Sequence, residues 1–470
     1  MTAEGSYDVI VIGAGPAGVA AAIAAAGRGA SVLILDEGQA PGGQIYRNAG
    51  RASGRLLRIL GKDYAKGATL ADALRACGAE YRTGSTVWNV ERDGRVDFLA
   101  DGASHVAHGR KIVVATGAIE RPFPVDGWDL PGVLTVGAAQ TLLKASSMVA
   151  RGSVLVGSGP LLWLLADQYR RAGHPPLAIV DTTPAGRLRS LLHALPRFLV
   201  SPYASKGVGL LWRVKRSVPV HSGVGSVRIA AEQGGFTVSF RRDAAERTIR
   251  ADHVFVHQGV VPNINLPNAL GCELAWNEDQ ACWDVAADEW GHTSLSNVWI
   301  AGDGASVGGA EAAAARGTLA GLSCLHALGM IDADARDAAA AAPRRILQRY
   351  RSGRIMLDRL YRPGGHLVAG APSAIACRCE DITVQTVRTA CAELQPAGLN
   401  QMKVLLRCGM GPCQGRFCGS TVAAIIAQCK GVQAGDIAPY RHRFPVKPVT
   451  VADLATLDHS NADRQAVARD

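Results

Sequence analysis

Tyr7-Asp8-Val9-Ile10-Val11-Ile12-Gly13-Ala14-Gly15-Pro16-Ala17-Gly18 is the stretch on which the fold of this chain turns. The apolar run Tyr7–Ile12 is a buried strand, the glycines make a tight turn, and the alanine-rich run from Val19 to Ala26 is a helix. Ser31 to Leu35 is a second strand, ending at Asp36-Glu37. Strand, Gly-rich turn, helix and strand in this order form a dinucleotide-binding unit. Gly13 serves the turn, Gly15 lets backbone approach a pyrophosphate, and Gly18 lets the helix pack on the strand. The pyrophosphate then faces the helix N-terminus, where free N–H groups and the dipole favour an anion. Asp36, eighteen residues beyond Gly18, stands where a carboxylate can take ribose hydroxyls.

Working outward, Pro41-Gly42-Gly43-Gln44-Ile45-Tyr46-Arg47 suits a loop running beside a flat cofactor. A Val/Ile strand from Lys111 ends in Ala115-Thr116-Gly117-Ala118. Asn297 to Gly302 is another apolar strand, ending in Gly302-Asp303-Gly304-Ala305 ahead of a helix from Gly309 to Leu322. An aspartate there can bind a polyol while the helix N-terminus holds phosphate. Between these segments, Ser153–Val156, Gly157-Ser158-Gly159-Pro160-Leu161-Leu162 and Leu177–Asp181 copy the first unit. Leu162 replaces the third glycine, so occupancy by NAD, an adenine nucleotide or nothing stays open; Asp181 favours NAD over NADP. The basic, Leu-rich segment 187–216 is read as solvated helix faces, with a subunit contact as the alternative.

Seven of the eleven cysteines lie from Cys377 to Cys429. Cys377-Arg378-Cys379 brings two thiolates to one point, and Cys408, Cys413 and Cys418 share a Gly-rich loop. Dense cysteines without an export signal indicate metal or redox chemistry. Thiolates suit an iron–sulfur cluster, and zinc stays open on ligand count. The earlier Cys77, Cys272, Cys282 and Cys324 are isolated, and no CxxC or CxxxxC pair precedes residue 370, which excludes the usual thiol–disulfide reductase chemistry. Over 470 residues, 48% apolar and 19% charged with 54 glycines, two or three buried cores can form. The net charge of +10 comes from scattered Lys and Arg with only 5% aromatics, which argues against nucleic acid. No apolar stretch of about 20 residues could span a bilayer, and a cytoplasmic location is expected.

Residues 1–330 resemble the flavoproteins with two Rossmann-like dinucleotide-binding domains, the thioredoxin and glutathione reductase-like group. The resemblance implies an α/β fold with a split FAD-binding domain (1–124 and 286–330), an inserted second domain (125–285), a helix and linker (331–370), a small helical cluster domain (371–430) and an extended tail (431–470). It implies FAD lined by Gly13, Gly15, Pro16, Ala17, Gly18, Asp36, Glu37, Gly43, Gln44, Val87, Ala115, Thr116, Gly117 and Gly302, with Asp303 on the ribityl chain. The segment ending Gly409-Met410-Gly411-Pro412-Cys413-Gln414-Gly415-Arg416-Phe417-Cys418 resembles the [2Fe-2S] domain of bacterioferritin-associated ferredoxin. That resemblance makes Cys377, Cys379, Cys413 and Cys418 the ligands, with Cys408 as the alternative to Cys418. The whole order resembles the α subunits of heteromeric amino-acid and opine dehydrogenases, the group that includes opine oxidase, proline dehydrogenase and hydrogen cyanide synthase. It implies an amino-acid-oxidase-like β partner, a small third subunit in some assemblies, and FMN at a subunit boundary. Electrons would then pass from the partner's flavin through this chain. No substrate-facing base or nucleophile stands out. The alternatives are a self-sufficient NAD(P)H-dependent reductase and a zinc-stabilised structural subunit.

Overall fold

The computed structural model describes residues 5–242 and 245–457; residues 458–470 of the expected tail lie outside that range. The first strand, Gly5–Ile12, runs parallel to Val32–Leu35 on one side and Ala103–Val114 on the other. Val298–Ile300 joins in parallel beyond the latter. Ile12 pairs with both Leu35 and Val114, and Val114 pairs with Ile300. These four strands therefore end at one level, and Gly13, Asp36, Ala115 and Ala301 follow on a common edge. The carboxyl edge of a parallel sheet is where such folds bind nucleotides. Val9, Ile10, Val11, Leu33 and Ile34 are fully buried, because a parallel sheet is covered on both faces. Glu80–Arg82 and the antiparallel strands Thr86–Val90 and Arg95–Ala100 complete seven strands.

The helix Pro16–Ala26 covers one face of this sheet and packs along Ala310–Ala327. The two backbones touch. A Cβ at Gly317 would lie 2.0 Å from the Ala17 carbonyl oxygen, and one at Gly321 would lie 2.6 Å from that of Ala21. Alanine-rich sequence in both helices permits this approach, which brings the N-termini of both to the nucleotide edge.

The inserted unit holds a parallel sheet in the order Val220–Ser222, Ala178–Asp181, Ser153–Ser158, His253–Gln258, Val133–Thr135. A three-stranded antiparallel sheet of Ser226–Glu232, Gly235–Arg242 and Ala245–Ala251 packs beside it. The chain crosses between the units at the antiparallel pair Ala118–Glu120 and Val260–Pro262. After that crossing, Leu266, Leu270, Cys272 and Val285 already share a core with Ile10, Phe98 and Ile300 of the first unit.

A 29-residue helix, Ala333–Tyr361, leads to the cysteine module. Its helices Val384–Leu394, Leu399–Leu406 and Gly419–Lys430 enclose Val387, Met402, Val422, Ile425 and Ile426. The module leans on the inserted unit, where Trp128 Nε1 donates to the Ile375 carbonyl at 2.8 Å. The following segment runs as a strap: Ile437 and Tyr440 enter the module's core, and Val446 enters that of the first unit. The Val446 N–H donates to the Trp88 carbonyl at 3.0 Å.

Gly317→Ala forces a methyl group onto the Ala17 carbonyl and is expected to cost about 1–3 kcal/mol, as overpacking does. Gly207→Ala, in the helix Pro202–Lys215 with nothing within 4 Å of the new atom, is expected to be neutral or stabilising by up to about 1 kcal/mol. Thermal unfolding of the two variants checks the contrast.

Candidate functional site

The three glycines of the first turn do three different things. Gly13 has φ +102°, and a Cβ there would be 2.6 Å from the Ala115 carbonyl oxygen. At Gly18 a Cβ would be 1.8 Å from the Gly13 carbonyl oxygen, so only glycine lets the helix start where it does. At Gly15 a Cβ meets nothing within 4 Å. The open side of Gly15 is where backbone can meet a ligand, and the helix beginning at Pro16 has no side-chain cap to compete for its first N–H groups. Gly43 lies against this loop, with its Cβ position 2.9 Å from the Gly15 Cα, while the Gly42 N–H donates to the Ala14 carbonyl at 2.8 Å.

Around this turn, burial pushes the Asp36 carboxyl up from its ordinary value, opposed by N–H donation from Ala14 and Gly38. Glu37 is held by Lys447 of the strap at 2.7 Å. Val87 stands opposite Phe98 with its side chain in the core, which leaves only its main chain for a nucleotide. Gly302 packs on Ala17, its Cβ position 2.6 Å from that methyl. Asp303 Oδ1 accepts from the N–H groups of Gly308 (2.8 Å) and Gly309 (3.1 Å) at the start of Ala310–Ala327. The Asn263 N–H donates to the Gly117 carbonyl and Thr116 Oγ1 to the Asn263 carbonyl, while Asn263 Oδ1 is buried without a partner. An open glycine, an uncapped helix and an orphaned buried acceptor fit a flavin dinucleotide along this edge.

Sequence reasoning missed Lys144. It is buried beside Gln44, donating to the Gln44 carbonyl at 2.9 Å and to Gln140 Oε1 at 2.8 Å. Burial, aided by the charge of Arg47, lowers its ammonium to about 7. No local sequence signal marks it, since Lys144 looks like an ordinary helix-end lysine.

The second unit differs where the first is open. Leu162 is fully buried among Val136, Leu143 and Leu155, although its helix, Pro160–Arg171, starts directly after Gly159 as Pro16–Ala26 starts directly after Gly15. The His257 ring fills the space over Gly159, with Nε2 3.0 Å from a Cβ position there. Glu120 fixes that ring, Oε1 lying 2.6 Å from Nδ1, and takes the Gly137 N–H on Oε2. Asp181 is buried and accepts from the Thr183 N–H of its own loop. The charged, Leu-rich segment 187–216 leaves Leu188, Leu192, Leu199, Val200 and Trp212 exposed.

In the cysteine module five thiols converge. Hydrogen bonds from Cys408 and Cys418 pull the Cys377 thiol well down, aided by the N–H groups of Gly409 and Glu380; the same contacts push Cys408 and Cys418 up. Cys379 pairs with Cys413. The sulfurs hydrogen-bond to one another; among the described residues no group of three or more His, Cys, Asp or Glu has metal-site geometry. Cys391 and Cys429 form a separate pair on two helices, and Cys272, Cys282 and Cys324 are buried elsewhere. A set of converging cysteine sulfurs with backbone N–H groups facing them fits an iron–sulfur cluster and also, on donor chemistry alone, zinc.

One cavity of about 470 Å³ lies between the two centres. Ile119, Val261 and Pro262 line it on the flavin side, Gly415, Gly419 and Tyr440 on the thiol side, and Arg121, Arg362 and Trp276 between them. Arg121 is buried and gives its two terminal nitrogens to the carbonyls of Ala281 and Gln280.

Residues 7–318 match the family model described as pyridine nucleotide-disulphide oxidoreductase, and residues 374–457 that of the sarcosine oxidase A3 domain. The A subunit of opine oxidase from Agrobacterium tumefaciens (strain Ach5) is 43% identical over 98% of this chain and 94% of its own. The chain belongs to the family of opine oxidase A subunits. The likeness extends to hydrogen cyanide synthase subunit HcnB of Pseudomonas aeruginosa, 30% identical over 95% of this chain and 98% of that one. Among solved structures, L-proline dehydrogenase from P. horikoshii shares the fold with a TM-score of 0.71 at 19% identity, covering 96% of this chain and 80% of its own. Thioredoxin reductase from T. acidophilum matches 70% of this chain and all of its own, with a TM-score of 0.50 at 21% identity. For a member of the opine oxidase family, the A3 match explains why the strap belongs with the thiols: it spans both. Among the described residues no helix is long and apolar enough to cross a membrane.

Gly15→Val should fold normally, since φ there is −70° and the space is empty. Its retained FAD should fall roughly tenfold or more because the side chain displaces phosphate from main-chain donors; flavin extraction and thermal unfolding of the apoprotein separate the two effects. Lys144 gives a pH prediction. Its folded value of about 7 lies below the unfolded 10.5, so the unfolded state binds more protons between these values and stability rises with pH across that window. Denaturant unfolding of the apoprotein should show Lys144→Met more stable than the parent at pH 7, the difference shrinking towards pH 10.

Proposed function

We propose that this chain is the electron-transfer subunit of a heteromeric FAD-dependent oxidase of amino acids, imino acids or opines. It carries FAD in the first unit and a [2Fe-2S] cluster on Cys377, Cys379, Cys413 and Cys418. The observation that supports this reading best is a cavity bordered by both the flavin edge and the thiol loops. Bound FAD and the cluster supply the redox chemistry, two-electron exchange at one and single-electron relay at the other. The chain's residues do the placing. Gly15 and the helix N-terminus hold the pyrophosphate, Asp36 the ribose and Asp303 the ribityl hydroxyls, while Arg378, Lys403 and Arg407 offset the cluster's charge.

An amino-acid-oxidase-like β subunit, with a small third subunit in some assemblies, provides the substrate pocket, and the complex works in the cytoplasm. The arginines and tryptophan of the central cavity suit a phosphorylated planar ring, which favours FMN at the boundary with that partner. His257 over Gly159 and Leu162 at the third glycine position argue against NAD in the second unit, and so against a self-sufficient NAD(P)H-dependent reductase.

Purified alone, the chain should hold FAD together with iron and acid-labile sulfide and oxidise no amino acid or opine; co-expressed with its partner it should gain that activity. Substrate oxidation by the isolated chain overturns the subunit reading, and zinc without sulfide overturns the cluster. For the fourth ligand, Cys418→Ser should lose the bound iron and Cys408→Ser should keep it, as counted by metal analysis of the full-length protein.

A further inference from the structure

Tyr440 lies outside every motif of the chain, yet the thiol loops are built around it. Its ring is 3% exposed. Three glycines face it: Cβ atoms would come within 2.8 Å of the ring at Gly409, 2.5 Å at Gly415 and 3.5 Å at Gly419. These glycines alternate along the chain with Cys408, Cys413 and Cys418. Any side chain at Gly409 or Gly415 would evict the ring or move the sulfurs. Two anchors hold the ring in place. The Tyr440 carbonyl accepts from Asn268 Nδ2 at 3.0 Å, and two residues on, His442 Nε2 donates to the Gln414 carbonyl at 2.9 Å.

The hydroxyl end carries the chemistry. Tyr440 Oη lies 3.8 Å from Cys418 Sγ, its hydrogen-bonding partner among the described residues. When Cys418 is a thiolate its sulfur has no proton to give, so the phenol must be the donor. Phenylalanine would fill the same space between the glycines without leaving a polar group to satisfy, so packing alone does not account for the hydroxyl. Donors to a ligand sulfur stabilise the more negative, reduced cluster over the oxidised one.

We propose that Tyr440 is a positioning residue that raises the reduction potential of the cluster by donating to Cys418 Sγ, while its ring fixes the loops that carry the ligands. This rests on the [2Fe-2S] reading above. The full-length protein, in complex with its partner, is compared with Tyr440→Phe and with 3-fluorotyrosine at position 440, whose hydroxyl is the more acidic donor. Iron and sulfide contents are measured first, then the midpoint potential by redox titration followed by electron paramagnetic resonance. Tyr440→Phe should keep its iron and shift to a more negative potential, by about tenfold in the one-electron equilibrium or about 59 mV; the fluorinated residue should shift it the other way. Unchanged potentials in both, with iron and sulfide intact, overturn the role of the hydroxyl and leave the cluster standing. Wild-type protein without sulfide overturns the cluster reading itself. Loss of iron from Tyr440→Phe, with the fluorinated protein at the wild-type potential, shows a merely structural hydroxyl and also overturns the proposal.

Discussion

At the start of the chain, main chain rests on main chain. Gly18 stands where a Cβ would fall 1.8 Å from the Gly13 carbonyl, and Gly317 where one would fall 2.0 Å from that of Ala17. Both contacts converge on one short helix, Pro16–Ala26, clamped between its own turn and the helix Ala310–Ala327. Because that helix is fixed from both sides, its N-terminus points at the empty side of Gly15 and the Gly302-Asp303 turn reaches the same edge. Segments nearly 300 residues apart thus share one ligand surface with no more than the Ala17 methyl between them. The energy of this arrangement comes from close packing, and its cost is intolerance of even one methyl group.

The inserted unit shows what happens when that constraint is relaxed. Its strands keep the parallel order and register of the first unit, so the architecture survives. Leu162 goes into the core where the first unit has Gly18, and the His257 ring then lies over Gly159. A nucleotide-binding shape has become a packed, hydrogen-bonded corner held by Glu120. The same topology leaves the turn glycine open in one copy and covered by a side chain in the other.

Much of this is legible in the sequence because it is carried by local rules. Glycine spacing after a buried strand, small residues before Asp303 and the density of cysteines each act over a few residues, and the observed strands and helices follow them closely: Gly5–Ile12 for the expected Tyr7–Ile12, Ala310–Ala327 for Gly309–Leu322. What stays hidden depends on distant partners. Lys144 is unremarkable until the Gln44 carbonyl and Arg47 surround it. The segment after residue 430 reads as an extended tail; it does run between surfaces, but Ile437 and Tyr440 pack into the cysteine module's own core. Nothing near Tyr440 announces that, because the glycines that receive it lie 21 to 31 residues earlier.

The strap has a consequence for how the molecule is made. Tyr440 follows Cys418 by 22 residues, and the strap's next anchors, Trp88 and Glu37, lie among the first segments synthesised. While the ribosome is still extending the chain, all five converging thiols have emerged but the ring that backs their loops has not. The adenosine end of the flavin edge likewise waits for Lys447. Both regions are therefore finished by the same late segment, and a polypeptide truncated shortly after its last cysteine would own all its thiols yet lack both the ring and the lysine that close around these edges.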